Sequence, residues 1–202
     1  AIHLNRAMND GVALNAQTDL LPICGMDEHM DTDTFLQILA NETGEKPEDI
    51  LCFDLSVYHY AEPVRTGFSG DMFMAPRIDN ISSVQACLTG LIEANPSDGI
   101  SVAVLFDHEE IGSRSKNGAN GNLLSYTLER ICNAINISRE NFLQSLVHSY
   151  YLSLDVAHAI HPAHPEKSDI TSAMPLNRGF AIKASAKHAY CSDDDMTGVI
   201  LQ

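Results

Sequence analysis

The chain has 202 residues, of which 45% are hydrophobic, so it is long enough to bury a sizeable core in one domain or two. Its 12 Lys and Arg residues against 27 Asp and Glu residues give a formal net charge of −15, which argues against nucleic acid and anionic membrane as partners. The five cysteines are widely spaced and form no C-x-x-C pair, which argues against a structural zinc site or a redox motif. The sequence shows neither a signal peptide nor an apolar run of about 20 residues, and this favours a cytoplasmic protein.

The first third of the chain, up to about Pro63, is polar and irregular. It contains one amphipathic stretch, "TFLQILAN", and one short apolar run, "ILCFDLSVY" at residues 50–58, that predicts a strand. We expect residues 1–63 to be part of a smaller domain, and residues 64–202 to be part of a larger one.

The second part of the chain alternates between helical and strand patterns. The run "ISVAVLF" at residues 100–106 is short, apolar and rich in β-branched residues, as is typical of a strand buried on both faces of a mostly parallel sheet. Further strands are predicted at residues 151–162 and 179–186, and helices at about 82–94, at about 122–135, and after Ser138 as N-cap. This alternation predicts an α/β protein with a layered sheet.

Several carboxylates share one kind of position, at or just past the edge of a predicted strand or loop and before a helix or turn. Asp79 lies in "APRIDN", Glu109 and Glu110 lie in "HEEIGS", and Asp155 lies in "LSLDVAHAIHP". In open α/β sheets, ligands bind at the carboxyl ends of the strands. Adjacent glutamates at the end of a buried strand are costly to desolvate unless a positive group meets them, so the pattern indicates a functional edge.

Each of these residues also has an ordinary structural interpretation. Asp79 has the position of a helix cap, and the two glutamates could form a solvated pair in a turn. Histidines near Pro162 and Pro165 could be polar loop residues; these are His158, His161 and His164.

Taken together, the carboxylates predict a site for a divalent metal, because a cation removes their mutual repulsion. Oxygen and imidazole ligands suit zinc, with manganese or cobalt as alternatives. In a two-metal site one carboxylate can bridge the ions, and a glutamate that is not a ligand can accept the proton of the attacking water. The adjacent glutamates Glu109 and Glu110 can supply a base and a ligand.

Four blocks make this interpretation specific. In their order and spacing, "FSGDMFMAPRIDNISSV", "LFDHEEIGS", "LDVAHAIHP" and "LNRGFAIKASAKHAY" resemble the aspartyl aminopeptidase family of co-catalytic zinc exopeptidases. The opening "AIHLNRAMNDGVALNAQTDLLPI" is similar to the inserted dimerisation domain of that family. The resemblance implies a three-layer, mostly parallel sheet of the zinc exopeptidase type. It also implies that residues 1–63 belong to a β-rich dimerisation or regulatory domain, and residues 64–202 to a catalytic metallopeptidase domain.

The resemblance also implies an activity and a metal centre. The expected reaction is metal-dependent removal of N-terminal residues from peptides, with a preference for acidic residues that rests on the family name. Two zinc ions are expected, with Asp79 bridging them, Glu110 ligating one ion and Asp155 the other. Glu109 is then the general base. The family resemblance further predicts a cis peptide bond after Asp79.

Substrate-binding residues and assembly follow from the same resemblance. His158, Lys183 and His3 are expected to line the substrate site, and His3 would act in the site of a neighbouring subunit. We therefore expect a homo-oligomer built from dimers. On the residues alone, Lys183 is equally well explained as a lysine at the edge of a strand, and His3 as a satisfied polar residue of the smaller domain.

The chain departs from the family pattern in two places. The family carries one metal-binding histidine in an H-x-D motif before the "AIHL" block, and another in a Gly-Ser-Thr-rich segment after the last predicted strand. The chain therefore resembles the central part of such an enzyme, with three of the five expected ligands, and on its own it is expected to bind zinc weakly and to be inactive. Two other functions stay open: a related co-catalytic amidohydrolase or deacylase, and a non-catalytic assembly module.

Overall fold

The computed structural model describes residues 3, 6–26, 29–96, 98–187, 190 and 193–202. The chain divides into two units, Ala1–Tyr60 and Ala61–Gln202. No helix among the described residues is long and apolar enough to cross a membrane.

The first unit is organised around helix α1, Thr32–Thr43. The Asp31 carboxylate caps its first turn by accepting the Thr34 amide at 2.8 Å, and Gly44 ends the helix in the left-handed region, at φ 75°. Ala40, on this helix, is 1% exposed. The rings of Phe35 and Phe53 meet edge to face, with their centroids 5.8 Å apart. Short 3₁₀ turns flank the helix at Arg6–Asp10 and Pro47–Asp49.

The second unit begins with an antiparallel hairpin. Strand β1, Val64–Thr66, pairs with strand β2, Met72–Met74, and Arg65 lies opposite Phe73. The connection contains Gly67 and Gly70, both at positive φ, where glycine avoids the steric cost of a Cβ.

Helices make up most of the remaining regular structure of this unit. Helix α2 spans Ile78–Glu93, α3 spans Leu123–Ala134, α4 spans Arg139–Val147 and α5 spans Asp194–Ile200. The pair α3 and α4 is in contact, and Phe142 of α4 is 6% exposed. The Ser138 hydroxyl caps α4 by accepting the Asn141 amide at 3.2 Å. Further 3₁₀ turns lie at Glu109–Ile111 and Pro165–Lys167.

The structure confirms the predicted helices but differs at the predicted strands. Of the described residues, only β1 and β2 form a sheet, and that sheet is antiparallel. The runs at residues 50–58, 100–106, 151–162 and 179–186 form no strands in it. A helix makes its hydrogen bonds within one segment, whereas a strand needs a neighbour that lies far away along the chain. The predicted three-layer parallel sheet is therefore not formed by these residues.

Burial agrees with this difference. Among the described residues, the buried hydrophobic side chains are Ala40 and Phe142. Apolar side chains of the predicted strands, such as Val102 at 47% and Leu105 at 54% exposure, keep surface that a layered sheet would cover.

Candidate functional site

The two adjacent glutamates lie in a tight turn. Glu109 and Glu110 open the 3₁₀ turn Glu109–Ile111, and both are exposed. The turn is bounded by two residues in the left-handed region, His108 at φ 60° and Gly112 at φ 98°. Two backbone hydrogen bonds close it: the Gly112 amide donates to the Glu109 carbonyl at 2.9 Å, and the Ser113 amide donates to the His108 carbonyl at 2.8 Å.

The chain after this turn folds back on it. The Asp107 amide donates to the Asn117 carbonyl at 3.2 Å, and the Asn120 amide donates to the Ser113 carbonyl at 3.1 Å. Gly118 is buried where the loop crosses itself, and a Cβ placed there would lie 2.2 Å from the Ser113 carbonyl oxygen. A glycine is therefore required at this crossing. We call residues 107–121 the glutamate loop.

The His108 side chain connects the two halves of the glutamate loop. Its Nδ1 atom lies 2.6 Å from the Ser115 hydroxyl oxygen, which is hydrogen-bond distance. Its Nε2 atom lies 3.5 Å from a carboxylate oxygen of Asp107. The imidazole and the Asp107 side chain are 41% and 64% exposed, so solvent reaches both. The ring thus spans from the start of the loop to its middle.

Asp79 lies at the start of α2, where the backbone is not yet helical. Asp79 has φ −80° and ψ 110°, and Asn80 has φ −122° and ψ 32°. The peptide bond between them is cis, as predicted. Regular helix begins after Asn80, so Asp79 lies at the entry to α2 with an exposed side chain.

Asp155 and Lys183 come from two segments that are 28 residues apart, and the structure brings them together. The Lys183 ammonium lies 3.4 Å from a carboxylate oxygen of Asp155, with side-chain exposures of 41% and 49%. The same ammonium lies 5.5 Å from the centre of the Tyr190 ring, within the range of a cation–π contact. A predicted metal ligand and a predicted substrate-binding residue are thus neighbours.

The predicted substrate-binding histidines lie at the surface. His158 is exposed, and His3, in the first unit, is exposed as well. The rings of His161 and His164 lie 5.5 Å apart, and His164 Nδ1 lies 3.1 Å from a Glu166 carboxylate oxygen. These contacts occur within one short loop.

The donor set has the chemistry of a metal site, but the described residues do not bring it together. In kind it suits a divalent cation, because Asp79, Glu110 and Asp155 are all carboxylates. In position it does not, since no group of three or more His, Cys, Asp or Glu side chains among the described residues could hold a metal. The assignment of these three residues as ligands stays a prediction.

Sequence reasoning missed three residues of the glutamate loop: His108, Ser115 and Gly118. Their signal was present in "DHEEIGSRSKNGANG", where glycines and small polar residues follow the acidic pair, as is typical of a closed turn. It did not indicate which of these residues would meet, because the contact between His108 and Ser115 depends on the loop crossing at Gly118.

The sequence is similar to known proteins over its whole length. It matches the family described as "Aminopeptidase I zinc metalloprotease (M18)" over residues 1–202. A "Probable M18 family aminopeptidase 2" of Clostridium novyi (strain NT) is 40% identical over 201 residues, covering 98% of this chain and 46% of the relative. The protein of the same description from Pseudomonas fluorescens (strain SBW25) is 36% identical over 202 residues, again with 98% and 46% coverage. The chain thus spans about half the length of these relatives.

Solved structures are similar as well. A chain of the "Cryo-EM structure of the Ape4 and Nbr1 complex" superposes with a TM-score of 0.78 at 29% identity, over 100% of this chain and 42% of that one. An M18-family aminopeptidase from Thermotoga maritima superposes with a TM-score of 0.62 at 26% identity, over 77% of this chain and 35% of that one.

Proposed function

The chain belongs to the aminopeptidase I zinc metalloprotease (M18) family, and from this membership we propose that the complete protein removes N-terminal residues, acidic ones preferentially, from peptides. The observation that carries the proposal is the family match over residues 1–202. The four motif blocks, each with its acidic or basic residues, lie within that match. We further propose that the complete protein forms the three-layer, mostly parallel sheet, is cytoplasmic, and assembles into a homo-oligomer built from dimers.

The proposed metal centre contains two zinc ions, with manganese or cobalt as alternatives. Asp79 would bridge the ions, Glu110 would ligate one and Asp155 the other. When bound, zinc supplies Lewis acidity at the scissile carbonyl. Because the described carboxylates do not converge on one point, we assign these ligands without a coordination geometry.

Glu109 is proposed as the general base. Successive side chains of a 3₁₀ turn point about 120° apart, because the turn has three residues per revolution. Glu109 and Glu110 are consecutive in such a turn, so they are suited to two different tasks. Glu109 would accept the proton of the attacking water at a carboxylate oxygen and deliver it to the leaving amine.

Lys183 and His158 are proposed to bind the substrate. The Lys183 ammonium can pair with the side-chain carboxylate of an N-terminal Asp or Glu, which would explain an acidic preference. Its distance of 3.4 Å from Asp155 supports a position beside the proposed metal centre. His158, three residues after Asp155, can donate a hydrogen bond to a substrate oxygen from the same segment.

The test uses the product of the complete open reading frame, loaded with zinc and assayed on peptides that begin with Asp, Glu, Leu or Lys. We expect release of N-terminal Asp and Glu to be fastest, to stop after chelation of the metal, and to return when zinc is added. Cleavage of N-acylated amino acids instead would favour the amidohydrolase alternative. A metal-free protein that assembles but hydrolyses neither class would favour the assembly module.

His3 is proposed to act in the site of a neighbouring subunit. Complete His3→Ala and Glu109→Gln proteins should each be inactive, and a mixture should regain part of the activity. A mixed dimer contains one pocket with both residues intact, because a symmetric dimer exchanges the same segment in both directions. If labelled subunits exchange while the mixture stays inactive, His3 has no role in a shared site.

A further inference from the structure

We propose that Ser115 is a positioning residue that holds the Glu109–Glu110 turn through the imidazole of His108. The inference rests on the proposed function in one respect, since it takes Glu109 as the general base. It starts from the 2.6 Å contact between the Ser115 hydroxyl oxygen and His108 Nδ1, seven residues apart in the sequence.

The backbone conformation of His108 sets the direction in which the turn with the two glutamates starts. It immediately precedes Glu109 and adopts φ 60°, ψ 29°, in the left-handed region. That region is unfavourable for a residue with a Cβ, and it persists where surrounding contacts hold it. The His108 carbonyl accepts the Ser113 amide at 2.8 Å, and its ring meets Ser115, so backbone and side chain are both held.

Ser115 is itself well placed to act as an anchor. The Gly118 amide donates to the Ser115 carbonyl at 3.2 Å, and the Asp107 amide donates to the Asn117 carbonyl at 3.2 Å. Asn117 ties the backbone after Ser115 to the start of the glutamate loop, and the Ser113 amide, which donates to the His108 carbonyl at 2.8 Å, ties the backbone before it. The loop crossing at Gly118 leaves no space for a Cβ, which keeps the two halves close together.

The atoms of the contact suggest how substitutions will behave. The Asp107 carboxylate lies 3.5 Å from Nε2, and the Ser115 hydroxyl can donate to Nδ1 or accept from it, according to the tautomer of the ring. An asparagine at position 108 places a polar atom near the position of Nδ1, whereas a glutamine places its polar atoms near that of Nε2.

The experiment measures steady-state kinetics and zinc content of the complete zinc-loaded protein. We expect Ser115→Ala to lower kcat about 10- to 100-fold, because a displaced base loses its alignment, while KM and zinc content change little. Ser115→Thr keeps the hydroxyl and should restore kcat. His108→Asn should stay close to the unsubstituted protein, and His108→Gln should resemble Ser115→Ala. Ser125→Ala, on the exposed face of α3, is the matched control.

A second readout, independent of activity, is amide hydrogen exchange in residues 107–121. We expect faster exchange at Gly112 and Ser113 in Ser115→Ala, and not in Ser115→Thr. Unchanged kcat in Ser115→Ala would overturn the proposal, and so would equal losses in the Ala and Thr variants. If the unsubstituted protein hydrolyses no peptide, the proposed function fails, and the exchange data alone decide whether Ser115 holds the turn.

Discussion

The glutamate loop and the Asp155 segment carry proposed site residues, but they are held in different ways. The glutamate loop is closed by six backbone hydrogen bonds, the contact between His108 and Ser115, and the crossing at Gly118, all within residues 107–121. Asp155 is connected across the chain by its pair with Lys183, in which both side chains are more than 40% exposed. Exposed pairs of this kind stabilise by about 0–1 kcal/mol.

The difference shows which parts of a site are encoded locally. The glutamate loop needs only its own 15 or so residues to reach its conformation, because its partners lie close in sequence. The Asp155 segment depends on residues 28 positions away, and bringing such segments together costs loop-closure entropy that a few exposed contacts do not offset. Substitutions that open the glutamate loop should therefore alter the structure of residues 107–121, whereas those that break the pair of Asp155 and Lys183 should alter both of the segments that it joins.

The largest expected effect comes from substituting the two glutamates one at a time. Glu109→Gln should lower kcat by about 10²–10⁴-fold in the complete protein while leaving zinc content unchanged, because it removes proton transfer but no ligand. Glu110→Gln should lower zinc occupancy. Kinetics beside elemental analysis measures both. If Glu109→Gln lost zinc and Glu110→Gln did not, the two roles would be reversed.

Lys183 should produce the next largest effect. Lys183→Met should lower kcat/KM for substrates with N-terminal Asp or Glu by about 10- to 150-fold, because a hydrogen bond to a charged group contributes about 1.5–3 kcal/mol. The values for Leu-terminated substrates should change much less. Since the pair with Asp155 is exposed, the free energy of unfolding should change by less than about 1 kcal/mol.

Lys167→Met is the matched control for this variant, because Lys167 lies in the separate turn Pro165–Lys167. An equal loss for acidic and apolar substrates in Lys183→Met would assign Lys183 to the arrangement of Asp155, and would remove it from substrate selection.

The same contrast explains which features were predictable from the sequence. The cap at Ser138 and the helix after it were local signals, and α4 begins directly after its predicted N-cap. The amphipathic stretch at residues 34–41 lies within α1, whose cap at Asp31 was not predicted. The family blocks correctly indicated the cis bond after Asp79. The apolar run at residues 100–106 has the composition of a buried strand, but composition does not specify a partner for its backbone, and none is formed by the described residues.

The hairpin β1–β2, in contrast, has a partner for each strand but was not predicted from the sequence. Its strands have three residues each, too short for a periodicity to register, although Gly67 and Gly70 marked its turn. No periodicity in the sequence indicated that Asp155 and Lys183 would pair; the family blocks implied only that both residues belong to one site.

A substitution at the loop crossing tests whether contacts within residues 107–121 hold the glutamate loop in its conformation. Gly118→Ala should destabilise the complete protein by about 1–3 kcal/mol, since the new Cβ would lie 2.2 Å from the Ser113 oxygen, a backbone atom that cannot move alone. It should also lower kcat. Gly90→Ala in α2 is the control: its Cβ would meet nothing within 4 Å, and alanine favours a helix by about 0.5–1 kcal/mol. Urea denaturation measures the free energy of unfolding of both variants. If Gly118→Ala were as stable as the unsubstituted protein, the backbone at the crossing could move to accommodate a Cβ.

The smallest expected effect concerns the cap of α1, a local device outside the proposed site. Hydrogen bonds from the Thr34 amide and hydroxyl lower the pKa of Asp31 below its usual 3.8. A carboxyl with a lowered folded pKa contributes stability above its unfolded pKa and loses it as pH falls through the folded value. Protection of the α1 amides against hydrogen exchange, corrected for the intrinsic rate, should therefore fall below about pH 4. Asp31→Asn keeps the capping acceptor without a titrating proton, so its α1 protection should not depend on pH in this range. If both proteins lose α1 protection at the same pH, the helix responds to the charge of the whole chain, and the cap at Asp31 is not the local device that its geometry indicates.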